Sequence, residues 1–136
     1  MNINTTYTKI ITGEDLMETA QHGSTLYPFQ FYYEDLSVFD FNCIEWHWHT
    51  ELEFIYIESG TVTLWIGEDQ FHLTEGNGVF INTKVLHRLY SPSKALIPNF
   101  VFMPSFIAPC DSLIYQKYIL PIISSSLPFL VFHKKV

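Results

Sequence analysis

"EWHWHTELEFIYIESG", residues Glu45–Gly60, carries the reading of this chain. On a β-strand, alternate residues share a face. His47 and His49 therefore point one way, and Trp46 and Trp48 the other. Glu51, Glu53, Ile55 and Ile57 share the histidine parity, unless Thr50 opens a turn that resets it. Two imidazoles on one face, with a carboxylate shortly after, form a set of metal ligands. The same groups also read as a polar pocket wall that hydrogen-bonds a ligand or itself. A third histidine, His87 in "LHRLY", lies on a later strand and in a small barrel faces the same interior.

The flanking sequence extends the strand pattern. "LYPFQFYY" and "LSVFDFNCIEW" are aromatic and β-branched, with the turn-forming "EDLS" between them. After Gly60 come "TVTLWIG", "FHL", "VFIN", "LHRLY" and "PNFVFM", separated by "EDQ", "TEGNG" and other Gly, Asn, Asp and Ser clusters. Short strands at such spacing predict an all-β antiparallel sandwich or barrel. Glu14–Gln21 reads as a short helix capped by Thr12, with Gly23 past its end. A second helix is expected from Asp111 or Ser112 to Leu120, stopped by Pro121. The divisions expected are an N-terminal arm at 1–25, a barrel at 26–105 and a helical, apolar tail at 106–136. An apolar tail needs a partner. It packs back on the barrel or leads toward a further domain, and the second is the favoured expectation.

The chain has 136 residues, enough for one domain with a core of its own. Its net charge of -7 and pI of about 5.2 argue against direct contact with phosphate backbones. Two cysteines, Cys43 and Cys110, make neither a disulfide framework nor a CxxC metal site. The start "MNINTTYTKIITGEDL" lacks a basic, then apolar, signal pattern, and Leu113–Phe132 is too interrupted to cross a membrane. The expected setting is cytoplasmic and reducing, with no membrane partner.

"HWHTELEFIYIESG" resembles the first motif of the cupins, with His47, His49, Glu53 and Gly60 in the motif positions. "GNGVFINTKVLHRLY" resembles the second, opening at Gly76 and placing its histidine at His87. Asn82 stands where the family has proline, Lys84 where it has a second glycine, Ser91 where it has asparagine, and Phe41 where a glycine precedes the first motif. With "HGSTLYPFQFYY" ahead of them, the motifs look like the N-terminal domain of AraC-type transcription regulators, over roughly residues 22–103. This resemblance implies a cupin-type double-stranded β-helix, or jelly roll, with a short C-terminal helix. It implies a ligand-sensing domain that binds a small effector, such as a carbohydrate, inside the barrel and forms a homodimer. DNA would be bound only by a C-terminal helix-turn-helix domain outside this sequence.

The resemblance also implies the site. His47, His49, Glu53 and His87 would contact the effector, with no catalytic residue and no cofactor. The alternative is a small metal-dependent cupin enzyme, of dioxygenase or sugar-isomerase type, in which the same four residues hold Zn, Ni, Mn or Fe. Trp46, Trp48, Trp65, Phe54 and Tyr56 are candidates to stack on a sugar, though core or interface is the commoner place for such rings. Glu51 reads as a solvated turn residue. His72 reads as a strand-surface histidine, His22 and His133 as unremarkable, Arg88 as a surface or interface charge, and Lys84 as a solvated turn residue.

Overall fold

The computed structural model describes residues 2–135. Nine strands form two antiparallel sheets. They are β1 (Phe29–Asp35), β2 (Cys43–His47), β3 (Leu52–Tyr56), β4 (Thr61–Ile66), β5 (Asp69–Thr74), β6 (Gly78–Ile81), β7 (His87–Tyr90), β8 (Leu96–Phe102) and β9 (Phe129–Phe132). The five-stranded sheet runs β1-β8-β3-β6-β9 and the four-stranded sheet β2-β7-β4-β5. Their inner faces share one apolar core, to which Ile55, Ile81 and Ile97 contribute from the first sheet and Leu64, Leu73 and Leu89 from the second. The alternation in β4 is clean: Val62, Leu64 and Ile66 are buried, and Thr61, Thr63 and Trp65 are not.

One irregularity positions the site. Ile44 pairs with Leu89 and His47 with His87, so Glu45 and Trp46 stand against Arg88 alone. This bulge inserts one residue and turns the strand over. Ile44 and His47 therefore both face inward despite their spacing of three, and His47 lies beside His87.

Several local expectations change. Glu14–Gln21 is not a helix. Its backbone is an extended strap in which Glu18 N–H donates to Trp48 O (2.9 Å) and Trp48 N–H to Leu16 O (3.1 Å). Pairing with the barrel satisfies these groups, and Leu16 takes a φ of 69° that no right-handed helix contains. "LSVFDFN" is not strand but two 3-10 turns, with the Asp35 carboxylate accepting from Ser37 N–H. The C-terminal helix forms as a π-helical segment, Tyr115–Ile119, running into α1 (Leu120–Ile123). Pro121 does not stop it, because proline fits the first turn of a helix, where an N–H has no intrahelical partner.

The tail packs back on the barrel. β9 pairs with β6 and closes one edge of the five-stranded sheet. Asn82 secures it: its backbone N–H donates to Pro128 O, and its side-chain amide donates to Ile122 O (2.9 Å) and Leu127 O (2.8 Å). A proline here would supply neither donor.

Phe41 and Lys84, at two family glycine positions, keep the glycine-like backbone, with φ of 59° and 62°. A left-handed conformation costs a non-glycine residue about 1–2 kcal/mol, part of which glycine returns as unfolded-state entropy. Lys84 is exposed and its N–H donates to His49 O (2.8 Å), a bond glycine would keep. Lys84→Gly is expected to raise the unfolding free energy by up to about 1 kcal/mol. Urea titration of both chains measures it, and a clear loss of stability would contradict the account.

Candidate functional site

His47, His49, Glu53 and His87 converge between the two sheets, each offering one ligand atom within 4.8 Å of the others. His47 ends β2 after the bulge, His49 follows in the connection, Glu53 lies on β3, and His87 opens β7. All four are buried, His87 completely. The parity of "ELEFI" survives Thr50, since Glu51, Glu53, Ile55 and Ile57 are all buried. The solvated Glu51 of the sequence reading is thus corrected: it is 8% exposed and accepts from the Thr50 hydroxyl (3.0 Å).

The three imidazoles are held alike. Nδ1 of His47 lies 2.8 Å from Glu45 O, that of His49 3.0 Å from Glu51 O, and that of His87 2.8 Å from Val85 O. A carbonyl only accepts, so each Nδ1 carries the proton. Each Nε2 is then turned to the centre of the cluster. His49 Nε2 donates to Glu53 Oε1 (3.0 Å). Burial alone would raise the Glu53 carboxyl, but the hydrogen bond from His49 and the nearness of the His49 and His87 rings hold it well below the carboxylate range. Burial disfavours charged His49, and Glu53 overrides this and raises it. Burial and the neighbouring His87 push His47 down to about 3.

His87 Nε2 is the odd atom. It lies 3.4 Å from Glu53 Oε1 without making a hydrogen bond, and it is fully buried with no hydrogen-bond partner among the described residues. An orphaned buried nitrogen is costly. Three Nε2 atoms and a carboxylate oxygen around one point match the donor set of a divalent cation, so the residues present fit a metal.

Beside the cluster lies a cavity of about 250 Å³. Aliphatic side chains such as Ile44, Ile55 and Leu89 form much of its wall, and His47, His49 and Glu53 reach it. The N-terminal arm supplies another wall, including Tyr7, Lys9, Glu18 and His22. None of Trp46, Trp48, Trp65, Phe54 and Tyr56 lines it; the cavity's aromatic rings are Tyr7 and Tyr32. Trp48 instead holds the arm, donating Nε1–H to Asp15 O (2.9 Å). Trp65 lies under the Arg88 guanidinium, which is paired with Glu45.

Sequence reading missed the polar wall. His22, which the sequence does not single out, is buried and bridges Tyr32 OH (2.5 Å) and Glu18 Oε2 (2.8 Å), with its ring 5.6 Å from that of His49. Glu34 accepts from Tyr7 OH (2.7 Å) and Asn99 Nδ2 (2.8 Å). Period-two parity in "FQFYYED" offered one signal, since Tyr32 and Glu34 share a face. The arm's contribution left none, because it depends on where the chain folds back. His72 and His133 are exposed. Burial pushes the Cys43 thiol up to about 12, so it carries no reactive thiolate.

The cupin-domain family (Cupin_2) matches residues 43–97, a span that holds all four clustered ligands. A cupin superfamily protein of Desulfitobacterium hafniense superposes with a TM-score of 0.52, over 60% of this chain and 71% of that one, at 10% identity. The fold is that of a cupin. Along the sequence, the chain is 26% identical over 124 residues to "Uncharacterized HTH-type transcriptional regulator YdeC" of Bacillus subtilis (strain 168). That match takes in 88% of this chain and 42% of the regulator, so the chain spans less than half of its relative's length. A predicted oxalate decarboxylase of Thermotoga maritima aligns with a TM-score of 0.42, over 45% of this chain and 56% of that one, at 16% identity. The fold by itself does not choose between a regulator and an enzyme. No helix among the described residues is long and apolar enough to cross a membrane.

Two measurements probe this site. Zn²⁺ or Mn²⁺ added to metal-free chain is expected to raise the melting temperature, with stoichiometric uptake, and His87→Ala to weaken uptake at least about tenfold. Equal uptake by both chains would contradict the ligand assignment. The second concerns Glu34, whose burial raises its carboxyl above the ordinary 4.5, against the lowering by Tyr7 and Asn99. The folded chain keeps that proton to higher pH than the unfolded chain does. Stability from this group is therefore full below the unfolded value and is lost as pH rises through the folded one. Glu34→Gln is expected to flatten the decline, so denaturation curves of the two chains should diverge as pH increases from 4.5.

Proposed function

We propose that this cupin barrel is the ligand-sensing and dimerising part of an AraC-type transcription regulator, with a small effector bound in the cavity. The observation that carries the reading is the match to a helix-turn-helix regulator along 88% of this chain. The cavity supports it. An apolar body with a few convergent polar groups suits a small organic ligand. Tyr7, Tyr32, Glu34 and Asn99 offer donors and acceptors of the kind that hydroxyl groups need. A carbohydrate is the leading class, and contacts from His47, His49, Glu53 and His87 would complete its recognition. The homodimer, the cytoplasmic setting and DNA contact through a separate C-terminal domain belong to the same reading.

The arm gives the effector something to act on. Its residues wall the cavity and tie to the barrel through Tyr7–Glu34 and His22–Tyr32. An effector that binds better with the arm closed shifts the chain toward that arrangement by its difference in affinity. The change would pass onward through the segment after Met103.

A second reading, a metal-dependent cupin enzyme, is favoured by the unpartnered His87 Nε2. There His47, His49, Glu53 and His87 would hold Zn, Ni, Mn or Fe, which when bound supplies Lewis-acid polarisation of a coordinated group. The chain's own part would be to fix three Nε2 atoms through Nδ1 hydrogen bonds and to exclude water with the arm.

A thermal-shift panel of sugars, amino acids and small acids, run with and without divalent metal, separates the readings. The sensor reading expects one class to stabilise metal-free chain, by about 2.7 kcal/mol at a hundredfold excess over its Kd. It also expects His47→Ala and His87→Ala each to weaken that ligand at least about tenfold. Unchanged affinity in both variants would remove the pocket assignment. Ligand binding that requires metal, with turnover, would move the chain to the enzyme reading.

A further inference from the structure

Three carboxylates line the cavity, Glu18, Glu34 and Glu53, and all three are buried. A buried carboxylate is costly unless an opposite charge or strong donors attend it. Two of them face a histidine. Glu18 lies 2.8 Å from His22 Nε2, and Glu53 lies 3.0 Å from His49 Nε2. Glu34, 5% exposed, has only neutral partners, the Tyr7 hydroxyl and the Asn99 amide. It forms no ion pair among the described residues. Lys9 also borders the cavity, but it is exposed.

Around Glu34 the donors are used and an acceptor is left over. Tyr7 commits its hydroxyl hydrogen to Glu34 Oε2. Asn99 Nδ2 donates to Glu34 Oε1 and to Ile97 O (2.9 Å), which uses both amide hydrogens. Asn99 Oδ1 stays on the cavity wall with no hydrogen bond from a described residue. Glu34 pairs with Ile97 and Glu53 with Val101. The two carboxylates therefore stand four residues apart along β8, about 14 Å of strand. The Glu34 end is a second polar pole of the cavity, distinct from the histidine cluster.

We propose that the cavity takes a small organic amine, an amino sugar if the ligand is a carbohydrate, with its ammonium group seated on Glu34 and Asn99 Oδ1. Three observations select this group. The first is hydrogen bonding: an ammonium brings three donors and no acceptor, which suits a wall of acceptors. The second is charge. Burial, with the charges of Glu53 and Glu18, raises the Glu34 carboxyl. A cation at this pole supplies the missing opposite charge and lets Glu34 ionise, its proton passing to solvent. A neutral hydroxyl would fill one donor position and leave the charge unmet. The third is size: about 250 Å³ lies just below the about 300–1,000 Å³ of common ligand sites, so the amine has a compact body. Aliphatic Ile55, Ile97 and Leu89 on the wall suit such a body. A bare hard cation is not matched, since Ca²⁺ takes about 6–8 oxygen ligands and Glu34 with Asn99 offers three.

This inference deepens the sensor reading and rests on its ligand-filled cavity. The test is calorimetric titration of the full 136-residue chain, freed of metal by chelation and dialysis, at neutral pH. The probes are matched sets. The 2-amino hexoses of gluco, galacto and manno configuration are each set beside the N-acetyl derivative and the parent sugar. Cyclohexylamine is set beside cyclohexanol, which separates an amine from an amino sugar. The expected result is at least one amine that binds at least about tenfold more tightly than its uncharged partners. Glu34→Gln keeps the size of the side chain and removes the charge, and it should weaken that amine at least about tenfold. Glu68→Gln, exposed in the turn between β4 and β5, should leave it unchanged. Melting curves without ligand check that both variants fold, and the comparison of matched probes on the unaltered chain needs no variant. Uncharged partners that bind as well as the amines overturn the proposal and leave the sensor reading standing. A panel in which no amine binds overturns it too, and the sensor reading is then judged on its own wider panel. Equal affinity for the unaltered chain and Glu34→Gln removes the seat, and an equal loss in Glu68→Gln assigns the effect to net charge and overturns it as well.

Discussion

Glu53 is the constraint around which this barrel is arranged. A carboxylate only 7% exposed, facing the interior from β3, loses most of its hydration. It is tolerable because His49 donates to it and His87 stands 3.4 Å away. Each of those rings is oriented by a backbone carbonyl two residues from itself in sequence. The β2 bulge serves the same end by turning His47 inward beside His87. The result is a site that is nearly satisfied as it stands and lacks one partner, for His87 Nε2. Such a remainder is what a ligand or an ion would complete.

The arm belongs to that arrangement too. Its Glu18 and His22 are buried although the strap that carries them is mostly exposed. Backbone pairing with Trp48 fixes its height on the barrel, and Tyr7–Glu34 and His22–Tyr32 fix it over the cavity. The ring of His22 then meets that of His49. Whatever occupies the cavity touches both the cluster and the arm, so its occupancy and the arm's position are energetically linked. The two faces of the five-stranded sheet differ, with Glu34, Glu53 and Asn99 inward and Phe31, Phe54 and Phe100 outward.

The departures from the cupin pattern at four positions prove informative. Phe41 and Lys84 hold left-handed backbone that glycine would adopt without strain, so the turn geometry is retained while its residue is not. Asn82, in place of proline, exchanges a rigid turn residue for donors that clamp α1 and the lead into β9. Ser91 is fully buried, its N–H donating to Asn42 O. A comparison of residue types alone counts all four as losses. The backbone shows two conserved shapes and one new fastening.

By itself the sequence determined what local rules determine. Alternation in "HWHTELEFIYI" put His47, His49 and Glu53 on one face, because the period of two is a property of the strand backbone. Turn residues marked the ends of most strands, and the spacing of glycine and histidine carried the resemblance to the cupins. Tertiary structure decided everything that depends on long-range pairing. It made a strap of Glu14–Gln21, because Trp48 offers backbone partners that a solvated helix does not have. It buried Glu51 and His22, brought Glu34 to Tyr7 and Asn99, and returned the tail as β9 against β6. The free energy of each of these contacts depends on residues that meet only once the chain has closed, and no local pattern records them.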